Sequence, residues 1–229
     1  MRALAVAFAV VLAPGLAAAQ PAAKLKIVTP TEVLAKVDAT YAGAKQLSAK
    51  FTQTVVNTTF GKTTVNTGTV AVARPGKMRW DYDSKNKKKT DGKAFVFDGT
   101  TLWALEPENL KVMKYTVVAG TMPAAIAFLT GGGGLTKEFT ASTPADKNQL
   151  VPGASVVELT PKQPSAQYKQ LLLVIDPTTW TVTRSIVVDP SGHTNTFEFA
   201  DVNLKAKHAA TMFTFDPKTR PTWKVETVK

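Results

Sequence analysis

The chain of 229 residues has no cysteine. Disulfides, thiol nucleophiles, thiolate metal sites and lipidation through an N-terminal cysteine are excluded together. Histidine is nearly as scarce. His193 follows the turn Asp189-Pro190-Ser191-Gly192, and His208 lies in a Lys/Ala-rich loop. Neither has a partner at metal-ligand spacing. The sequence has no G-x-S-x-G elbow. The run Gly131 to Gly134 leads to Thr136-Lys137 without the Walker order of Gly, Lys and Ser/Thr, so it reads as a hinge or helix stop. No nucleic-acid motif is present. Beyond the N-terminus no stretch approaches the roughly 20 apolar residues of a helical span. Neither a cofactor nor an enzymatic activity is expected, and nucleic acid is not an expected partner.

The N-terminus does carry a message. Met1-Arg2 is a short basic region, Ala3 to Leu12 is unbroken apolar sequence, and Ala17-Ala18-Ala19 is a small-residue cleavage site. This pattern is a secretory signal peptide over residues 1–19. Cleavage after Ala19 would leave residues 20–229 as one soluble domain outside the cytoplasm, with no linker dividing it. An exported chain without disulfides needs a real apolar core, and 44% hydrophobic residues can build one. The net charge of +11 favours solubility, and it also suits anionic headgroups or an acidic partner.

Thr29-Pro30-Thr31-Glu32 is a capping box with proline at the first helical position, and Val28 and Val33 form a hydrophobic staple. Val33, Val37 and Tyr41 then repeat every fourth residue, which predicts an amphipathic helix ending near Gly43. From Leu47 onward the period becomes two. Strands are predicted from Leu47, and at 63–73, 77–83, 93–98, 101–106, 111–118, 155–161, 167–176, 181–188 and 195–202, with Phe213-Thr214-Phe215 as a further candidate. Met122-Pro123 opens a short second helix, and Ser84 to Asp91 reads as a solvated tip. Short links between successive strands predict an antiparallel meander.

One sheet face has a surplus of large apolar groups. Met78, Trp80 and Tyr82 alternate with Lys77, Arg79 and Asp81, and Phe51 joins them. Phe95, Phe97, Leu102 and Trp103 come next. Two short helices can cover only part of so wide a face. The uncovered remainder would be an apolar concavity, the usual form of a lipid site.

Phe51-Thr52-Gln53, Gly68, Arg74-Pro75, Met78, Trp80, Asp98-Gly99-Thr100-Thr101-Leu102-Trp103, Leu159-Thr160-Pro161-Lys162 and Phe213-Thr214-Phe215 occur in that order. Together they resemble the LolA family of periplasmic lipoprotein carriers over most of the chain. The resemblance implies a mainly β protein with a few helices: an unclosed antiparallel β-barrel, or half-barrel, under a helical lid. It implies a monomeric chaperone that takes acylated lipoproteins from an inner-membrane lipoprotein-releasing ABC transporter and passes them to an outer-membrane lipoprotein receptor. The acyl cavity would be lined by Val37, Tyr41, Phe51, Met78, Trp80, Phe95, Ile126 and Leu129, and Arg74 would latch the lid. Ala124 and Ala125 stand where bulkier lid residues are common in the family. The same fold serves in lipid-sensing envelope-stress regulators, the alternative reading. A secreted hydrolase would need a catalytic constellation that the sequence does not show.

Overall fold

The computed structural model describes residues 28–85, 92–116, 129, 134–163 and 168–228. The expected signal peptide, Ile126 and most of the second helix expected after Met122 lie outside them.

Helix α1 (Pro30–Ala42) begins as its sequence dictates. The Thr29 hydroxyl accepts from the Glu32 N–H at 3.2 Å, and the Glu32 carboxylate accepts from the Thr29 N–H at 2.9 Å. Its buried face is Val33, Leu34, Val37 and Tyr41. The helix ends at Gly43, which stays in the right-handed region.

Twelve strands follow among the described residues. They are β1 (Gln46–Asn57), β2 (Lys62–Ala73), β3 (Lys77–Tyr82), β4 (Ala94–Phe97), β5 (Thr101–Glu106), β6 (Lys111–Thr116), β7 (Phe139–Ser142), β8 (Ser155–Pro161), β9 (Gln170–Ile175), β10 (Val182–Val188), β11 (Thr194–Asn203) and β12 (Lys224–Val228). A one-turn helix, α2 (Leu135–Glu138), precedes β7. All twelve strands lie in one sheet of order β12-β6-β5-β4-β3-β2-β1-β11-β10-β9-β8-β7. The end strands β12 and β7 are not paired with each other, so the barrel is unclosed.

The meander expected from the sequence is two meanders, β1 to β6 and β7 to β11, joined by antiparallel pairing of β1 with β11. β12 breaks the pattern by running parallel to β6. Phe213-Thr214-Phe215 is not a strand. Ala210–Phe213 is a 3₁₀ turn, and Phe213 packs on Ala71 and Ala73 of β2. Both edges of β2 are already taken, by β1 and β3, so no ladder is left for this segment to join. Trp103 also differs from expectation. Leu102 faces the inner core, and the alternation sends Trp103 to the outer face, where its ring meets Phe215 at 5.5 Å.

The sheet curls around a core that α1 covers on the inner side. On the outer side, residues 204–223 run as a strap across β2 to β6. The strap seals Ala71 and Ala73 with Phe213 and Met212, and Ala94, Val96, Leu105 and Val112 with Phe215 and Trp223.

Candidate functional site

The inner face is assembled by register. Phe51 on β1 lies opposite Gly68 on β2, and Gly68 lies opposite Tyr82 on β3. A Cβ at position 68 would stand 2.1 Å from the Asp81 carbonyl oxygen and 2.7 Å from Phe51 Cζ. Glycine therefore leaves a gap across β2. The Phe51 ring fills it, its centroid 4.9 Å from both Trp80 and Tyr82. Trp80 lies opposite Val70 and Phe95, and Met78 opposite Val72 and Phe97. From β11, Phe197 comes within 5.2 Å of Trp80, and Phe199 stacks on Phe197 at 6.1 Å.

The structure brings most of the expected lining together. Val37, Tyr41, Phe51, Met78, Trp80 and Leu129 belong to one buried cluster, each 3% exposed or less, and Phe95 packs against it half-buried. The sequence reading overlooked Phe197 and Phe199. Their alternation in Thr196-Phe197-Glu198-Phe199-Ala200 is the same signal that singled out Met78 and Trp80. It also overlooked Leu171, Leu173 and Ile175 on β9, where every residue from Leu171 to Ile175 is buried and no alternation shows.

Polar groups at the margin fasten the cover. The Tyr41 hydroxyl accepts from the Val182 N–H at 3.1 Å. Burial pushes the Tyr41 phenol up to about 12, against the pull of the Val182 bond and the Arg74 charge. Burial likewise pushes Tyr82 up to about 12. Arg74 follows the end of β2, and its Nη2 donates to the Leu129 carbonyl at 3.4 Å. Burial lowers the Arg74 pKa, with Tyr41 opposing. Asp38 on α1 clasps the start of α2: its carboxylate accepts from the N–H of Leu135 at 2.6 Å, the N–H of Thr136 at 2.9 Å and the Thr136 hydroxyl at 2.6 Å. Lys162, just past β8, donates from Nζ to the Thr136 carbonyl at 2.7 Å. At the rim, the Lys93 ammonium lies 4.6 Å from the Tyr82 ring centre and 5.0 Å from that of Phe95.

Other polar candidates are structural. Arg79 binds Asp81 through Nε at 2.7 Å, and Asp83 accepts from the Thr67 hydroxyl. The Asp98 carboxylate accepts from the N–H groups of Thr100 and Thr101, closing the turn that Gly99 makes at φ +107°. His193 Nδ1 accepts from the Thr58 N–H at 3.1 Å, tying two hairpin ends together. Among the described residues no group of three His, Asp or Glu side chains is placed to hold a metal ion.

An unclosed β-barrel with an aromatic interior under one helix is the class of protein that these elements define. The chain belongs to the LolA family: the model of "Outer membrane lipoprotein carrier protein LolA" matches residues 42–216. A protein of Chromobacterium violaceum named outer-membrane lipoprotein carrier protein is 32% identical over 139 residues, spanning 61% of this chain and 64% of its own length. Its namesake from Dechloromonas aromatica is 27% identical over 175 residues, spanning 76% of this chain and 78% of its own. Among solved structures, an uncharacterized conserved protein from Thermus thermophilus shares the fold with a TM-score of 0.53 at 10% identity, over 86% of this chain and 98% of the other. A LolA superfamily protein from Nitrosomonas europaea superposes with a TM-score of 0.44 at 12% identity, over 82% and 99% of the two chains.

Proposed function

We propose that the chain is a periplasmic carrier that holds the acyl chains of lipoproteins between α1 and the inner face of the sheet. On this reading residues 1–19 direct export and residues 20–229 form the carrier. It receives cargo from an inner-membrane ABC transporter and yields it to an outer-membrane receptor. The observation that carries the reading is the inner cluster itself. Aromatic and aliphatic side chains from α1, β1, β3 and β11 meet in one apolar mass, beneath a cover fastened at its margin by polar groups.

The energetics favour a cover that moves. Burying one CH₂ is worth roughly 0.8 kcal/mol, so a fully buried chain of about 16 carbons gains on the order of 12 kcal/mol. Cargo held that tightly would not leave. A protein whose interior is already filled by its own side chains escapes this trap. Loading must displace Phe51, Trp80 and α1 from one another, and their return offsets part of the cost of release. Arg74 closes the unloaded state through the Leu129 carbonyl. A hydrogen bond from a charged donor contributes about 1.5–3 kcal/mol.

Transfer from carrier to receptor tests both claims. Purified protein should keep a triacylated lipoprotein soluble without detergent. Arg74→Leu should still load but hand over cargo about tenfold more slowly, the factor that roughly 1.4 kcal/mol represents. Lipoprotein that sediments as if no carrier were present would refute the carrier reading. Wild-type transfer rates from Arg74→Leu would refute the latch.

A further inference from the structure

Trp80 is 3% exposed, with the rings of Phe51, Phe197 and Phe199 centred 4.9, 5.2 and 6.4 Å away. Its indole Nε1–H is buried and has no hydrogen-bond acceptor among the described residues. A buried indole N–H usually finds a partner. Left without one, it carries a desolvation penalty that a purely apolar ring would avoid. The surrounding ring faces offer only a second-order contact. Phenylalanine at position 80 would supply an aromatic surface without the penalty. What tryptophan adds is a single donor in an apolar interior, level with Val70 on β2 and Phe95 on β4.

We propose that the Trp80 Nε1–H recognises the ester carbonyl that joins an acyl chain to its glyceryl head, so that the interior prefers fatty esters to plain alkyl chains. The inference rests on the acyl-carrier reading and adds a selectivity that apolar burial lacks. The hydrophobic effect is non-directional and scales with area. It does not separate an acyl ester from an alkyl ether of the same length. A hydrogen bond does, because the carbonyl oxygen projects sideways from the chain towards a fixed donor, whereas the ether oxygen lies within the chain. The donor has already lost its water in the empty protein. An arriving carbonyl therefore gains a bond without a further desolvation cost on the protein side, in the low-dielectric setting where such bonds are strong.

Dioctanoylglycerol and its dioctyl ether analogue differ only in the two carbonyls. Each is titrated by calorimetry into wild type and into Trp80→Phe. Wild type should prefer the ester by about tenfold, the effect of one well-placed hydrogen bond. In Trp80→Phe the ratio of ester to ether affinity should fall to about one, whatever the change in absolute affinity. The indole N–H resonance of Trp80, followed by NMR in the wild-type protein, should move downfield with the ester and stay in place with the ether. That measurement does not depend on the variant folding. Equal affinity of wild type for both lipids, or an indole resonance indifferent to the ester, would overturn the role of Trp80 and leave the acyl carrier standing. Failure of wild type to bind either lipid would overturn both.

Discussion

The two faces of the sheet are covered by different means. On the inner face the cover is α1 with Leu129 and α2. Asp38, Arg74 and Lys162 fasten it through hydrogen bonds to backbone groups. On the outer face the cover is the strap of residues 204–223. Phe213 at 1% exposure, the Phe215–Trp103 contact and Trp223 fasten it, and it continues into the β12–β6 ladder. The difference is one of reversibility. A protein hydrogen bond exchanged for one to water changes stability by only about 0.5–1.5 kcal/mol. An aromatic side chain pulled out of its packing costs several times that. α1 buries Val33, Leu34, Val37 and Tyr41 as firmly as the strap buries Phe213, so the attachments that water can replace are those at the margin of the inner cover, at Leu129 and the start of α2.

The largest effect should come from cutting the strap. Phe213→Ala should lower unfolding free energy by about 3–5 kcal/mol, the usual range for Phe to Ala in a core. Urea titration measures it. At a temperature where the variant stays folded, its affinity for a fluorescent fatty acid should equal that of wild type. Loss of fatty-acid binding by the folded variant would show that the faces are not independent.

A smaller and local effect should follow on the other side. Asp38→Ala removes three hydrogen bonds at the start of α2 and should cost about 1–2 kcal/mol, as lost helix caps do. Hydrogen exchange at the Leu135 and Thr136 amides should quicken, while amides of β2 and β3 under the strap keep their protection. Uniform acceleration across the sheet would mean that Asp38 supports the whole fold and not the inner cover alone.

A further effect, confined to alkaline pH, is specific to the inner face. Burial raises Tyr41 and Tyr82 from 10.0 to about 12. The unfolded chain gives up these phenolic protons near pH 10, while the folded chain holds them. Their contribution to stability is complete below pH 10 and falls away as the pH rises towards 12. Alkaline melts should therefore decline over that window, and Tyr82→Phe should flatten part of the decline. An absorbance titration in which all tyrosines ionise together near pH 10 would contradict the burial.

The legible parts of this fold were those decided within a few residues. The Thr29–Glu32 box, the alternation through Met78 and Trp80 and the Asp98-Gly99 turn each depend on neighbours in the chain. Pairings between distant strands were not legible, because nothing in β1 names β11 as its partner. β7 and β12 went unnoticed as short strands with weak patterns. Phe213-Thr214-Phe215 has the alternation of a strand, but its neighbours were already taken. Of the interior, Phe51, Met78 and Trp80 could be read from alternation. The partner of Arg74 could not, since its bond to Leu129 crosses between separate elements.

The seam between β1 and β11 has a kinetic consequence. β1 is made early and sits mid-sheet, yet its second edge stays open until Phe199 can meet Phe51. Pairings so distant in the chain slow folding, because loop-closure entropy is lost before the contacts compensate. The first meander can form its hairpins, but its aromatic face stays incomplete until the last third of the chain arrives.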